Sequence, residues 1–240
     1  MVDTIAQREQ RIVARINTVR RDDLELAGGK GANLGELMGA GFPVPDGFIV
    51  STEAYATVVE EAGLAPVIDA GLAAGDDGAT IRAAFERVRI PDGLSAPILA
   101  AYADLGGGPV AVRSSATAED RAGAAFAGQQ DTYLNVIGDA AVLDAVRRCW
   151  GSLWTERAMS YRRHRQIESG NLRIAVVIQR MVDADFAGVM FTANPVTGER
   201  DQVVIDANPG LGEAVVSRGE RGVDHRGEAC LLHDGHVCLG

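Results

Sequence analysis

Residues 110–132 read VAVRSSATAEDRAGAAFAGQQDT, and the rest of the chain is organised around them. Residues 109–112 predict a short buried strand that breaks at the Arg-Ser-Ser beginning with Arg113. The alanine- and glycine-rich run that follows has too little apolar bulk to form a core. Its small side chains leave backbone N–H groups open to an anion, and arginine holds phosphate bidentately. The stretch therefore predicts a phosphate-binding loop, with a solvated surface loop as the alternative.

The composition excludes several classes of function. The chain has 240 residues, of which 47% are hydrophobic and only 5% aromatic, so aliphatic side chains must build most of the core. A net charge of −10 argues against binding to nucleic acid or to anionic membranes. The sequence contains no apolar run of transmembrane length and no signal-peptide pattern. Its three cysteines suggest no disulfide framework, so a cytoplasmic location is expected.

Lys30 is the only lysine among the 23 basic residues, and it lies in the glycine run of residues 28–31. We predict a loop there, followed by a helix from residue 32 to about residue 40. A loop that precedes a helix N-terminus is suited to phosphate, and Lys30 lies beside it. The run is not a Walker loop, because the four-residue gap and the GK[ST] ending are missing. The alternative is a chance placement of the lysine.

The first half of the chain predicts a helical scaffold with short strands. Residues 1–20 are expected to form a charged, helical leader. A strand over residues 48–50 leads to a helix that Ser51 or Thr52 caps. Residues 64–80 are expected to be irregular at first, and Thr80 is expected to cap the next helix. The helices are predicted to run to residue 63, from residue 81 to about 88, and from about 95 to 105.

The second half predicts one long helix and then a sheet. An apolar stripe at helical spacing extends from residue 139 to about 165, after a strand over residues 132–136. Three β-rich runs, at residues 175–178, 188–191 and 202–205, predict an antiparallel sheet. Helices followed by a sheet indicate an α+β fold.

Residues 217–240 form a tail of different composition, in which histidine and cysteine cluster. We expect this tail to be divergent and poorly packed. Cys230, His233, His236 and Cys238 could be written as a zinc site, but their spacing matches no common structural pattern. No metal ligand is therefore assigned.

Six motifs occur in an order that resembles one family. They are GGKGANLGEL, GFPVPDGF, VAVRSSATAED, FAGQQDTYLNV, VVIQRMV and AGVMFTANPVTG. Together they are similar to the N-terminal ATP-binding domain of the pyruvate phosphate dikinase, phosphoenolpyruvate synthase and rifampicin phosphotransferase family. The resemblance covers roughly residues 24–216.

The resemblance implies an ATP-grasp fold, in which two lobes clamp ATP. It also implies a phosphotransferase that moves the β-phosphoryl of ATP to a histidine on a separate domain, and then to pyruvate or another acceptor. ATP and Mg²⁺ are the expected cofactors.

The resemblance further implies which residues form the site. Lys30 and Arg113 would hold the phosphates and act as the catalytic groups. The loop over the phosphates and the hinge beside adenine, with its backbone at residues 180–182, would supply further contacts. The remaining binding residues implied are Ser114, Gly128, Gln129, Thr132, Gln179, Arg180, Met181, Val182 and Glu213.

The sequence after Ser217 departs from the family pattern. The usual Ser-Gly and Pro-Asp pairs and the later Mg²⁺ ligands are missing, as are the phosphohistidine and acceptor domains. We therefore expect an ATP-binding domain over residues 21–216, truncated before the end of its second lobe. It would need separate phosphohistidine and acceptor partners and would not turn over alone. The alternative is a non-catalytic nucleotide-binding module or a truncated relic.

Overall fold

The computed structural model describes residues 12–117, 131–165, 172–195, 197–212, 230–233 and 236–237. The chain divides into two compact units, Met1–Met181 and Val182–Gly240. The described elements are helices and antiparallel sheets, which agrees with the predicted α+β class. Within these described ranges, no helix is long and apolar enough to span a membrane.

The first unit contains a five-stranded sheet in which all neighbouring strands are antiparallel. Its strands are β1 (Val13–Arg15), β2 (Gly47–Val50), β3 (Val110–Ala116), β4 (Thr132–Val136) and β5 (Ile174–Arg180). They lie in the order β1-β2-β5-β3-β4. Because β5 is central and pairs with both β2 and β3, its residues are buried up to Gln179.

Helices cover both faces of this sheet. Their bounds are α1 (Leu24–Gly39), α2 (Thr52–Glu61), α3 (Ala65–Ala74), α4 (Ala79–Arg87), α5 (Asp92–Asp104), α6 (Asp139–Gly151) and α7 (Glu156–Arg165). The predicted cap of α2 is confirmed, because the Ser51 hydroxyl accepts a hydrogen bond from the Ala54 amide at 3.3 Å.

Side chains of different size pack on the two faces. On the face covered by α1, here called the α1 face, the buried apolar side chains are Ile16, Val19, Ala27, Ile49, Ala175 and Val177. The opposite face, here called the aromatic face, holds a larger core that includes Phe48, Tyr55, Phe85, Tyr102, Trp150 and Trp154. Alternation along a strand decides which face each side chain joins.

The second unit contains a four-stranded antiparallel sheet in the order β6-β7-β8-β9. Its strands are β6 (Phe186–Phe191), β7 (Val203–Pro209), β8 (Cys230–His233) and β9 (His236–Val237). Since β8 pairs with β7, part of the predicted tail extends this sheet instead of standing apart from it. The prediction that the tail is poorly packed stays a prediction.

The helical leader expected over residues 1–20 is wrong for the part that the structure describes. β1 pairs with β2, and Ile16 is fully buried on the α1 face. A short strand at the sheet edge buries more apolar surface here than a free helix would.

The irregular segment expected over residues 64–80 is also wrong, because α3 occupies most of it. Alanine is the strongest helix former, Pro66 is tolerated in the first turn, and Gly75 ends the helix in a left-handed conformation. Thr80 is not the cap of α4. Gly78 holds that position, and the carboxylates of Asp76 and Asp77 accept from the amides that follow them.

Two predictions on the longer elements need correction. The single helix expected over residues 139–165 is divided into α6 and α7 by a 3₁₀ turn at Ser152–Trp154. The Thr155 hydroxyl accepts from the Ala158 amide at 3.2 Å, which caps the new helix. The sheet of three consecutive strands is wrong as well, because β5 belongs to the first sheet and β6 and β7 to the second.

Candidate functional site

The glycine run predicted as a loop lies inside α1, which breaks at a single residue. Gly28 has φ 66° and ψ 173°, a left-handed conformation that favours glycine. A Cβ atom at this position would collide with the backbone carbonyl oxygen of Ser115 on β3. The predicted helix start at residue 32 is therefore too late, and Lys30 lies in the first turn after the break.

β3 continues through the residues at which the sequence predicted its end. Arg113 pairs with Val177 of β5, and Ser115 pairs with Ala175. Because alternate residues of a strand share a face, Arg113 and Ser115 both belong to the α1 face. The strand therefore places a guanidinium and a hydroxyl on the side of the sheet where Lys30 lies.

Lys30 is held against β3 by a direct contact. Its Nζ atom donates to the carbonyl oxygen of Ser114 at 3.3 Å, across 84 residues of sequence. Its side chain is half-buried, so the ammonium group is oriented by the strand instead of extending freely into solvent.

Arg113 is half-buried, and its Nε atom is buried with no hydrogen-bond partner. Within the described part of the chain, no carboxylate forms an ion pair with its guanidinium. Most buried polar groups are hydrogen-bonded, and an unpaired donor on a cation is costly. The Arg113 side chain is therefore suited to an anionic ligand.

The Ser114 side chain lies on the opposite face and is fully buried. Its hydroxyl faces the Asp131 carbonyl oxygen at 3.5 Å, and its amide donates to the same oxygen at 3.2 Å. The structure thus separates the Ser114 hydroxyl from Lys30 and Arg113, and this residue contributes its carbonyl oxygen. Thr132 pairs with Arg113 from the neighbouring strand β4 and is exposed.

The predicted hinge lies at the end of β5, where its backbone is fixed by hydrogen bonds. The Gln179 amide side chain donates to the Pro45 carbonyl at 3.2 Å. The Arg180 amide donates to Asp46 at 2.9 Å, and the Met181 amide donates to Pro109 at 3.0 Å. Val182, the first residue of the second unit, has a side chain that is 54% exposed.

Three predicted site residues, Gly128, Gln129 and Glu213, lie outside the described residues. Ser115 was not among the predicted site residues, although it lies beside Arg113 on the α1 face. Strand alternation would have placed it there only if the strand had been predicted to run three residues further.

A polar cavity of about 450 Å³ occurs elsewhere in the first unit. Its lining has more carboxylates than guanidinium groups, with Glu86, Asp131 and Asp144 against Arg82 and Arg148, and Asp144 pairs with Arg148 at 2.8 Å. We therefore do not assign a phosphate to this cavity. Its lining includes Arg82, Glu86, Asp131, Tyr133, Asp144, Arg148, Gly151, Ser152 and Thr155.

A metal site within the described ranges would require several His, Cys, Asp or Glu side chains in one place. No group of three His, Cys, Asp or Glu side chains in these ranges is placed to hold a metal ion. Cys230, His233 and His236 belong to β8 and β9, whose side chains are outside the description, so the zinc alternative gains no support.

Residues 24–226 match the family model of the pyruvate phosphate dikinase AMP/ATP-binding domain. Phosphoenolpyruvate synthase of Aeropyrum pernix is 44% identical over 224 residues, covering 87% of this chain and 27% of the relative. A probable phosphoenolpyruvate synthase of Methanothermobacter thermautotrophicus is 46% identical over 220 residues, covering 85% and 32%. Rifampicin phosphotransferase of Streptomyces sviceus is 46% identical over 222 residues, covering 87% and 25%. The chain spans about a quarter to a third of the length of these relatives.

Proposed function

Because the chain belongs to the pyruvate phosphate dikinase AMP/ATP-binding domain family, we propose that it binds ATP for a dikinase-type phosphotransferase, on an ATP-grasp-type fold. The observation that carries the proposal is the convergence of Lys30 and Arg113 on β3. The lysine ammonium bonds to the carbonyl of the residue next to Arg113, so the two cations share one face of the sheet.

Phosphate binding is the role that this geometry supports best for the two cations. Phosphoryl transfer requires positioning and neutralisation of charge more than covalent chemistry by the protein. Lys30 supplies a compact ammonium, and Arg113 supplies a planar guanidinium whose buried Nε lacks a partner. Phosphate oxygens of ATP would satisfy that donor and accept a further hydrogen bond from the Lys30 ammonium, which carries three donors and keeps its 3.3 Å contact with Ser114.

Adenine recognition at the hinge is supported by the hydrogen bonds that fix it. The amides of Arg180 and Met181 already donate to backbone carbonyls of the first unit. The edge of the base would therefore be read by a carbonyl oxygen of this segment and by the amide of Val182. Gln179 would support the hinge without contacting the base, since its side chain donates a hydrogen bond to the Pro45 carbonyl.

Mg²⁺ is the metal ion expected with ATP. The described residues contain no group of three or more His, Cys, Asp or Glu side chains that could hold it. We therefore assign no protein ligand to Mg²⁺ and derive no step through it. ATP carries the metal on its own phosphates in many kinases, and Lys30 and Arg113 would add the protein's positive charge.

The phosphoryl acceptor is proposed to lie outside this chain. Two relatives of nearly equal identity, 44% and 46%, are named for phosphoenolpyruvate synthesis and for rifampicin phosphorylation. The region that matches this chain is therefore shared by enzymes whose names indicate different acceptors. A separate phosphohistidine domain and an acceptor domain are the proposed partners, and the site of action is the cytoplasm.

Calorimetric titration with ATP tests the proposal on the wild-type chain and the variants Lys30→Ala and Arg113→Ala. A charge-assisted hydrogen bond contributes about 1.5–3 kcal/mol, so each variant should bind ATP about 10- to 100-fold more weakly. Arg89→Ala is the matched control, because the Arg89 side chain is 85% exposed and pairs only at the surface with Asp92. Equal affinity of all four proteins for ATP would refute the assignment.

Incubation of the purified chain with ATP, Mg²⁺ and pyruvate separates binding from turnover. We expect binding without AMP production, since the chain supplies no assigned phosphohistidine. Sustained, pyruvate-dependent AMP formation would show instead that the chain is a complete enzyme.

A further inference from the structure

Ser115 forms two hydrogen bonds that replace a missing bond of α1. Its Oγ atom donates to the Ala27 carbonyl oxygen at 2.9 Å and accepts from the Gly31 amide at 3.2 Å. In an unbroken helix, the Gly31 amide would bond directly to the Ala27 carbonyl four residues earlier. The hydroxyl of β3 is thus inserted into the hydrogen-bond ladder of α1, which is a recognised cause of helix kinks.

We propose that Ser115 is a positioning residue that sets the place of Lys30 for the phosphates of the nucleotide. This inference rests on the proposed function and names a residue to which no role has been assigned. Lys30 directly precedes Gly31, so the bond from the Gly31 amide to Ser115 fixes the backbone from which the lysine side chain extends. The Lys30 ammonium then bonds to the carbonyl of Ser114, the neighbour of Ser115.

The backbone at Lys30 and the ammonium group of its side chain are therefore both positioned by β3. The same strand carries Arg113, two residues before Ser115 on the same face. The distance between the two cations is set by the backbone of β3 instead of by two independent elements. Such an arrangement keeps the two cations together against their mutual repulsion when no phosphate is bound.

The close approach of α1 and β3 makes this arrangement possible. Gly28 adopts φ 66°, and a Cβ atom there would also lie 2.5 Å from the Ser115 hydroxyl oxygen. Any larger residue would push the helix away from the strand and open both Ser115 hydrogen bonds. Ser115 itself is fully buried, so water does not readily replace its hydroxyl.

Removal of the hydroxyl leaves the Ala27 carbonyl and the Gly31 amide without partners. Either the groups remain unpaired, or the first turn of α1 shifts to pair them directly. Both outcomes change the backbone at Lys30 while leaving its charge and its side chain intact. The predicted signature of Ser115→Ala is therefore an effect that requires Lys30.

A double-mutant cycle with ATP affinity as readout tests this signature. Ser115→Ala should weaken ATP binding about 5- to 20-fold in the wild-type background and leave it nearly unchanged in Lys30→Ala. Ser152→Ala is the matched control, since Ser152 is also buried and its hydroxyl donates to the Cys149 carbonyl at 2.7 Å. The control should bind ATP as the wild type does.

Lys30 also gives a direct spectroscopic readout, because it is the only lysine of the chain. Lysine labelled with ¹³C at Cε yields one side-chain resonance. That resonance should shift in Ser115→Ala without nucleotide and stay in place in Ser152→Ala. If Ser115→Ala fails to fold, Ser115→Cys serves as the second variant, because it fills similar space with a weaker donor and acceptor.

The outcomes separate the two proposals. Equal weakening of ATP binding by Ser115→Ala in both backgrounds, or an unmoved Lys30 resonance, overturns the positioning role alone. Wild-type affinity in Lys30→Ala overturns the proposed function instead, and the resonance then still decides whether Ser115 positions the lysine.

Discussion

The two faces of the five-stranded sheet differ in what packing requires of them. The aromatic face buries large side chains, among them Trp150, Phe85 and Phe48, each with no exposed surface. On the α1 face the strands bury Ile49 and Val177, but the helix contributes only small residues to the contact, among them Ala27, Gly28, Gly31 and Gly35. The aromatic face is thus stabilised by the volume of its buried side chains. The α1 face is stabilised by the close approach of helix and strand that small helix residues allow.

The difference has a chemical consequence. Where side chains are small, backbone atoms of a helix and a strand come into direct contact, as Gly28 and Ser115 do. Contact of this kind fixes polar groups more rigidly than contact through long side chains. The face with less apolar bulk is accordingly the one that holds Lys30 and Arg113.

The largest expected effect comes from removing volume on the aromatic face. Phe85 is fully buried and stacks on Tyr55 with a ring-centroid distance of 5.6 Å. Phe85→Ala should lower the free energy of unfolding by about 3–5 kcal/mol, because it creates a cavity. Urea denaturation followed by circular dichroism measures the change. Phe42→Ala, at a side chain that is 59% exposed, is the control, and a loss as large as that of Phe85→Ala would contradict the comparison.

Adding volume to the α1 face should give the next largest effect. A Cβ atom at Gly35 would collide with the Val19 carbonyl oxygen, which belongs to the backbone and cannot rotate away. Gly35→Ala should therefore destabilise the first unit by about 1–3 kcal/mol, although alanine is normally favoured within helices.

Gly93 in α5 provides the matched control for this substitution. A Cβ atom there would meet no atom within 4 Å. Gly93→Ala should stabilise the protein by about 0.4–1 kcal/mol, since it restricts the unfolded chain. The same sign for both variants in urea denaturation would remove the distinction between the two faces.

The smallest expected effect is a dependence of stability on alkaline pH, confined to the aromatic side. Burial raises the pKa of Cys149 well above its ordinary value of 9.0, and the charge of Asp131 adds to this while Lys30 opposes it. The folded state therefore holds the thiol proton more tightly than the unfolded state does. The stabilising contribution is complete below pH 9.0 and declines as pH rises above that value.

This decline should reach at most about 1.4 kcal/mol per pH unit for one group. Urea denaturation at several pH values up to about pH 10 should show a shallower slope in Cys149→Ala than in the wild type. Burial also raises the pKa of Tyr133 above its ordinary value of 10.0, so this residue adds to the loss of stability at pH values above 10.0. Identical slopes in the two proteins would mean that the Cys149 thiol ionises equally in both states.

The sequence singled out Lys30 and Arg113 as candidate phosphate ligands, and that role stays a prediction, whereas the bounds of the elements that hold them were partly predicted wrongly. Lys30 stood out as the only lysine, and Arg113 followed an apolar strand. Both inferences depend on local composition. The match to the family over residues 24–226 confirms the resemblance that rested on the six ordered motifs.

Ser115 escaped prediction because its partners are remote in the sequence. The Arg-Ser-Ser run is polar, and polar residues usually mark the end of a buried strand. Here the strand continues, since β5 pairs with it from Ile174 to Arg180 and α1 supplies hydrogen-bond partners 84 and 88 residues away. Such pairing is a property of the tertiary structure, which local periodicity does not contain.

The sheet to which β5 belongs was missed for a related reason. Its neighbours along the chain, β6 and β7, form a separate sheet, and its partners β2 and β3 come much earlier. An uninterrupted apolar run is typical of a central strand, while β6 shows exposed side chains such as Phe186 and Met190. β6 is just as apolar in sequence (FAGVMF), so this difference in burial belongs to the tertiary structure and could not be read from the sequence.

The placement of Trp150 and Trp154 determines what intrinsic fluorescence can report. They are the only two tryptophans of the chain, and both lie in the core of the aromatic face, where the Trp154 indole donates to the Tyr55 hydroxyl at 3.2 Å. Their emission follows the solvation of that core alone. The second unit, Val182–Gly240, has no tryptophan and is silent in such a measurement. An emission curve would therefore count a molecule as native even after the sheet of β6 to β9 had melted.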